Sequence, residues 1–178
     1  MPAAKSRTRK SVSALDLLEA DHAAVKKLFK QFATMKKRGE EGGGDEIVQK
    51  ACKALQIHAQ IEEEIFYPAL RSAANADDPL DEARVEHNHI KELVESLRDA
   101  TPGDDLYDAR MKVLSEYVEH HVGEEESTLF SKARKSGLDL EALGEQMATR
   151  KEELGGDDAQ AGRPSAGRRQ GNAERAPR

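Results

Sequence analysis

Residues 45–71 read DEIVQKACKALQIHAQIEEEIFYPALR and contain the pattern that decides the fold. Apolar residues recur in this stretch at steps of three and four, which is the period of an amphipathic α-helix. They are Val48, Ala51, Leu55, Ile65 and Ala69. His58 and Glu62 fill the gap in this stripe, one helical turn apart, so both side chains are predicted to point into the interior. Pro68 is expected to kink this helix or to end it early.

A second stretch, residues 121–131, reads HVGEEESTLFS and repeats the pattern of HAQIEEEIFYP at residues 58–68. Both contain His-x-x-x-Glu-Glu. It is followed at the same distance by Phe66-Tyr67 in one stretch and by Leu129-Phe130 in the other. The two stretches therefore look like two halves of one site, with His121 and Glu125 in corresponding positions. His120 lies about 100° around the helix from His121 and could equally pair with a neighbouring glutamate, so it stays as an alternative.

The other segments between Gly- and Pro-containing breakers also have the helical period, and none alternates as a strand would over a useful length. His22 and His87 fill gaps in two of their apolar stripes. We predict helices over residues 13–38, 45–71, 79–100 and 104–135, with a shorter one over 139–154. The expected fold is all-α, an antiparallel up-down-up-down four-helix bundle with a short extra C-terminal helix.

The ends of the chain differ in composition from its middle. The chain has 178 residues and a net charge of −6, while residues 1–10 and 155–178 are basic and lack an apolar period. We predict disordered termini around one domain at residues 11–154. An acidic domain of this kind argues against specific nucleic-acid recognition.

Cysteine content and hydropathy restrict the cellular environment. The single Cys52 excludes an intrachain disulfide and favours a reducing compartment, so we expect a cytoplasmic protein. No secretory signal precedes the first helix, and no apolar stretch reaches the length of a membrane span. We therefore expect no membrane association.

Four histidines point inward, and two of them are followed by an inward glutamate. Inside a core these polar groups need binding partners to offset the cost of their burial. An unpaired buried polar group costs roughly 2–7 kcal/mol, and a charge costs more. A pair of metal ions compensates them, because imidazole nitrogen and carboxylate oxygen are ligands of first-row transition metals. A lone inward histidine is more often bonded to a core neighbour, but four of them favour a metal site.

The remaining polar and aromatic residues near these motifs receive simpler interpretations. Glu64 and Glu126 are assigned to solvated surface charge, and His89 is assigned to an outer shell or to solvent. Glu63 and Glu124 stay open. The aromatic residues are assigned to the core wall. These are Phe66, Tyr67, Tyr117 and Phe130.

These motifs resemble the hemerythrin-like, HHE cation-binding domains over about residues 11–154. The resemblance rests on Asp21-His22, on the two His-x-x-x-Glu-Glu stretches and on Glu86-His87. It implies an oxo- or hydroxo-bridged pair of iron ions, with manganese or zinc less expected. It implies four imidazole ligands and two bridging carboxylates. These are His22, His58, His87, His121, Glu62 and Glu125.

One position departs from the family pattern. The oxygen-carrying hemerythrins have a further histidine four residues before the one that matches His87, and this chain has Ala83 there. Glu86, Glu82 or water is expected to supply the missing ligand. More oxygen donors would stabilise ferric iron and make reversible O₂ carriage less expected.

The resemblance implies a cytoplasmic di-iron protein that senses, binds or stores O₂, peroxide, nitric oxide or iron. One alternative is an enzyme that decomposes peroxide or acts as an oxidase. A second is a structural zinc site or an interaction module, although the doubled His-x-x-x-Glu exceeds the four ligands that such a zinc needs. The sequence does not indicate the oligomeric state.

Overall fold

The computed structural model describes residues 12–40 and 42–161, and all regular secondary structure in these ranges is helical. The five helices are α1 (Ala14–Arg38), α2 (Gly44–Ile61 continued by Glu62–Phe66 and Tyr67–Ala73), α3 (Asp77–Arg98), α4 (Tyr107–Glu124 continued by Glu125–Leu129 and Phe130–Lys135) and α5 (Leu140–Ala161). The predicted all-α class is confirmed.

Local sequence signals set both ends of α1. The Ser13 hydroxyl accepts a hydrogen bond from the backbone N–H of Asp16 at 3.2 Å and so caps the helix. Gly39 ends it with φ 68°, a left-handed conformation that glycine adopts without a steric penalty. The predicted start and stop of this helix therefore match the structure.

The middles of α2 and α4 contain a feature that the apolar period did not predict. Glu62–Phe66 and Glu125–Leu129 are π-helical turns, which are wider than α-helical turns. Pro68 follows the first of them, in the first turn of the α-helical segment Tyr67–Ala73, where a backbone N–H is not needed. Of the two predicted outcomes, a kink or an early end, the early end is therefore wrong, since the helix continues to Ala73.

Helices α1 to α4 pack around a core that a polar layer divides into two parts. Each helix contacts its neighbours along the chain, and α1 also contacts α4, which closes the bundle. One apolar cluster includes Leu18, Phe66 and Phe130, and the other includes Val25 and Val118. The polar layer between them holds the residues predicted to bind metal.

The fifth helix packs against α1, α2 and the first π turn. Leu143 and Met147 bury their side chains there, and Gly144 brings α5 against the backbone of Val12. α5 continues to Ala161, seven residues past the predicted helix end at residue 154. The predicted boundary of the disordered tail at residue 155 stays a prediction. The predictions for residues 1–10 and for residues after 161 lie outside the described residues. Within the described ranges, none of the helices has the length and apolarity required to cross a bilayer.

Candidate metal centre

The six residues predicted as ligands lie together in the polar layer of the bundle. Each of the four histidines and two glutamates has an exposed fraction of 5% or less. His22 comes from α1 and His87 from α3, while α2 and α4 each contribute a histidine and a glutamate. Every helix of the bundle therefore contributes to one site.

The first group of donors surrounds a point between α1, α2 and α4. Nε2 of His22 lies 3.1 Å from Nε2 of His58 and 3.2 Å from Oε2 of Glu125. Nε2 of His58 lies 3.3 Å from Oε2 of Glu62. Ligands that bind one ion at about 2.0–2.1 Å with right-angle geometry are separated by about 3 Å, so these spacings fit a shared cation.

The second group of donors lies beside the first and shares a carboxylate with it. Nε2 of His87 lies 3.1 Å from Nε2 of His121 and 3.3 Å from Oε2 of Glu62. Ligand atoms in each group lie within 4.8 Å of one another, and Glu62 belongs to both groups. The arrangement is suited to two adjacent cations with Glu62 between them.

The buried carboxylates lack hydrogen-bond partners in the described part of the chain. Both carboxylate oxygens of Glu62 and both of Glu125 are inaccessible to solvent and have no such partner. Burial, together with the charge of Glu125, raises the pKa of Glu62 well above its ordinary value. Burial also lowers the pKa of His58 to about 4, so that ring is neutral at physiological pH. Unpaired carboxylate oxygens beside a neutral imidazole form an environment that a cation would stabilise.

A carboxylate lies behind each of the four imidazoles, at its Nδ1 atom. Nδ1 of His22 donates to Glu126 at 2.8 Å, and Nδ1 of His87 donates to Glu63 at 2.9 Å. The other two pairs are His121 with Glu86 at 2.7 Å and His58 with Asp21 at 3.6 Å. The three shorter contacts are hydrogen bonds that hold a metal-binding imidazole in one orientation and tautomer, with Nε2 directed inward. Asp21 lies beyond hydrogen-bond distance of His58.

These contacts concern three glutamates of the sequence motifs. Glu126, predicted to be solvated, accepts a hydrogen bond from Nδ1 of His22, because the π turn and the packing of α1 against α4 bring the two together. Glu63, which the sequence does not assign, accepts a hydrogen bond from Nδ1 of His87, and this bond lowers the pKa of Glu63 to about 2. Glu86, one of the three candidates for the missing ligand, has its carboxylate at the outer nitrogen of His121.

Tyr67 is the site residue that sequence reasoning missed. Its hydroxyl oxygen lies 3.3 Å from Nε2 of His87, and its ring stacks on that imidazole with centroids 5.4 Å apart. In an α-helix Tyr67 would point about 140° away from Glu62, five residues earlier. The π turn, in which the N–H of Tyr67 bonds to the carbonyl of Glu62, brings both side chains to the same side. Its assignment to the core wall is therefore incomplete.

Other residues with open assignments lie outside the centre. His120 has 63% of its side chain exposed and contacts Glu86 and Glu124, so the structure places His121, and not His120, in the interior. Tyr117 is 43% exposed and is not part of the core wall. Glu64 is exposed and pairs with Arg150 of α5 at 2.7 Å. His89 and Glu82 are also at the surface.

Comparison with known proteins agrees with the helical fold and with a cation-binding domain. The family model described as "Hemerythrin HHE cation binding domain" matches residues 13–133. A solved structure of a hemerythrin HHE cation binding domain-containing protein from Mycobacterium kansasii superposes with a TM-score of 0.70 at 25% identity. The match covers 84% of this chain and 91% of that one.

Two curated relatives extend the comparison. A protein of Nostoc sp. (strain PCC 7120 / SAG 25.82 / UTEX 2576), named DNA nickase, is 32% identical over 134 residues. The match covers 75% of this chain but only 36% of that relative, so the chain spans about a third of its length. The uncharacterized protein Rv2633c of Mycobacterium tuberculosis (strain ATCC 25618 / H37Rv) is 26% identical over 148 residues, which cover 82% of this chain and 89% of the relative.

Proposed function

Because the chain belongs to the hemerythrin HHE cation-binding domain family, we propose that it binds two iron ions and that this centre reacts with dioxygen or peroxide. The observation that carries the proposal is the pair of adjacent donor groups that share Glu62. A single structural zinc would use four ligands and leave the remaining buried donors without a partner. Two cations satisfy both groups.

The donor set favours iron among the divalent metals. It combines four imidazole nitrogens with carboxylate oxygens, which suit iron as well as zinc, and Tyr67 adds a phenol oxygen. Hard oxygen donors stabilise the ferric state, which zinc lacks. A site with five histidines would have a further imidazole at the position of Ala83. This chain lacks that nitrogen donor and has the phenol oxygen of Tyr67 beside the site.

A bound iron pair would supply redox chemistry at an open coordination position. The protein's own residues prepare that position. Hydrogen bonds to Glu126, Glu63 and Glu86 orient three of the imidazoles. Burial raises the pKa of Tyr67 well above its ordinary value, so its hydroxyl keeps its proton until a cation is bound nearby. Val25, Leu55 and Ile90 line a chamber of about 20 Å³ next to the histidines, which has room for about one water-sized molecule. Apolar walls of this kind admit a small ligand and exclude bulk water.

A second candidate function is peroxide decomposition, in which two H₂O₂ become two H₂O and one O₂. Peroxide is both oxidant and reductant in this reaction, so no further co-reactant is needed. The phenol of Tyr67 favours this candidate over reversible O₂ carriage, because oxygen donors stabilise ferric iron.

Metal analysis with an optical spectrum tests the proposed centre. Protein purified under iron-replete conditions should contain close to two iron ions per chain, and Tyr67→Phe should retain them while losing visible absorption from phenolate bound to ferric iron. One metal per chain, or zinc retained when iron is also offered, would contradict the proposal. An oxygen electrode distinguishes a centre that only binds or reacts once with its ligand from one that decomposes peroxide. Only a protein that decomposes peroxide releases O₂ again at each of several additions of peroxide.

A further inference from the structure

A cavity of about 260 Å³ leads from the protein surface to the second donor group, between α3 and α4. Glu82 and Glu124 lie at its exposed side, and Ala83 forms part of its wall. His121 and Glu125, both buried, border its inner side. The cavity therefore joins solvent to two of the residues proposed to bind metal.

The corresponding place in the other half of the bundle is filled. Leu18 precedes His22 by four residues, as Ala83 precedes His87, and Leu18 is fully buried. Helix α5 packs over this half, where Met147 is buried and Lys151 contacts Asp21. The side of the centre that faces α5 is thus closed by apolar side chains and a lysine, and the side beside Ala83 has space.

The charges along the cavity all have the same sign. Four carboxylates line it, and no lysine or arginine is among the described residues that do so. They are Glu82, Glu86, Glu124 and Glu125. The groove that borders Glu63 on another face is lined by three glutamates and two lysines, Lys53 and Lys91, and Lys91 binds Glu63 at 2.6 Å. A cation approaching the centre is therefore attracted more strongly along the cavity than along this groove.

A cluster of potential ligands lies beside the outer part of the cavity. Nε2 of His120 lies 3.3 Å from Oε1 of Glu86 and 3.4 Å from Oε1 of Glu124, and the ligand atoms of these three residues lie within 4.8 Å of one another. Glu86 also connects this cluster to the centre through its other oxygen, which accepts from Nδ1 of His121.

An independent observation at the inner side of the cavity also indicates a cation. Glu125 is 1% exposed, and both its carboxylate oxygens lack a hydrogen-bond partner among the described residues. A buried carboxylate without a partner is stabilised by a cation that reaches it. The surface cluster and this carboxylate lie at opposite ends of one path.

We propose that the cavity beside Ala83 is the path by which divalent metal ions reach the centre, and that Glu86, His120 and Glu124 form a transient site that captures the ion at its mouth. The inference rests on the metal centre proposed above. The captured ion loses part of its hydration shell to the three side chains and then moves inward to Glu125 and His121.

Metal uptake by apoprotein tests this path, with ferrous iron alone as the probe and oxygen excluded. The apoprotein is mixed rapidly with iron, free ion is removed by a chelator at set times, and protein-bound iron is counted. A variant that combines His120→Gln with Glu124→Gln should take up iron roughly tenfold more slowly than the natural chain, because the capture site and part of the attractive charge are lost. Glu119→Gln removes the same charge from an exposed position on the same helix and should stay within about twofold of the natural rate.

Ala83→Leu tests the path itself, because it reproduces the leucine of the closed half. This variant should also slow uptake, with the final iron content unchanged and its folding checked by thermal melting.

Uptake at the natural rate in the double variant would overturn the capture site, and the same result in a folded Ala83→Leu would overturn the path. A lower final content in the double variant would also overturn the capture site, because it would make these residues part of the centre. The final iron content of the natural chain tests the proposed two-iron centre separately. The path is tested only by the uptake rates of the variants relative to the natural chain.

Discussion

At the scale of single residues, the position of a carboxylate decides whether it belongs to the centre. Glu62 and Glu125 are buried among imidazoles, whereas Glu64, two residues after Glu62, is exposed and pairs with Arg150. The run of three glutamates thus contains one residue directed inward, one behind His87 and one at the surface.

We expect Glu62→Ala and Glu125→Ala each to lose most of the bound metal, because each removes an oxygen donor from the buried groups. Elemental analysis of the purified variants measures the loss. Glu64→Ala is the control and should retain the metal content of the natural chain. Equal losses in all three variants would show that the assignment of helix faces is wrong.

Adjacent histidines on α4 should differ in the same way. His121→Ala should abolish binding of at least one iron, because the ring is 3% exposed and lies 3.1 Å from His87. His120→Ala should retain both ions, because its ring is exposed and contacts only carboxylates outside the centre. Iron content and the optical spectrum of the two variants check this, and loss of iron from His120→Ala alone would reverse the assignment.

At the scale of helices, α5 depends on a close approach to the start of α1. A Cβ atom on Gly144 would lie 2.1 Å from the carbonyl oxygen of Val12 and 2.7 Å from the backbone nitrogen of Ala14. Backbone atoms cannot move aside as a flexible side chain can, so only glycine permits this packing. The contact places α5 over the side of the centre that contains Asp21 and Leu18.

Gly144→Ala should therefore destabilise the protein by roughly 1–3 kcal/mol, as overpacking does. For a chain of this size each kcal/mol lowers the melting temperature by about 2–4 °C, which thermal melting followed by circular dichroism detects. Gly155→Ala is the matched control in the same helix, since its Cβ would meet no atom within 4 Å. It should be neutral or stabilising by up to about 1 kcal/mol. A Gly144→Ala variant as stable as the control would show that α5 does not pack in this way.

At the scale of the whole molecule, metal binding replaces protons held inside the bundle. Burial and the charge of Glu125 raise the pKa of Glu62. Burial of His22 opposes its protonation, but the nearby carboxylate of Glu125 and the hydrogen bond to Glu126 raise its pKa above the ordinary value. His58 is already neutral at neutral pH, because burial lowers its pKa to about 4.

The sign of the pH dependence follows from these shifts. Because the pKa values of Glu62 and His22 are raised, the apoprotein keeps protons on these groups to a higher pH than the free side chains would. Metal binding excludes these protons, so binding releases them and affinity rises with pH. The rise should continue until the pH exceeds the raised pKa values of both groups. Calorimetry in two buffers with different heats of ionisation measures the released protons. Affinity that falls with rising pH, or binding without proton release, would contradict this prediction.

The amino-acid sequence was sufficient to predict the helices of the bundle and the polar side chains that point into it. A step of three or four residues along an α-helix keeps side chains on one face, so the apolar stripes located His22, His58, His87 and His121 without knowledge of the neighbours. The repeat shared by α2 and α4 placed the two glutamates in the same way.

Which groups surround those side chains depends on tertiary packing. The contact of His22 with Glu126, 104 residues apart, depends on how α1 and α4 are rotated and offset against each other, which the period within one helix does not determine. Tyr67 reaches the centre because a π turn changes the angle between residues. The space beside Ala83 and the cover that α5 places over Leu18 depend on how helices distant in sequence pack together.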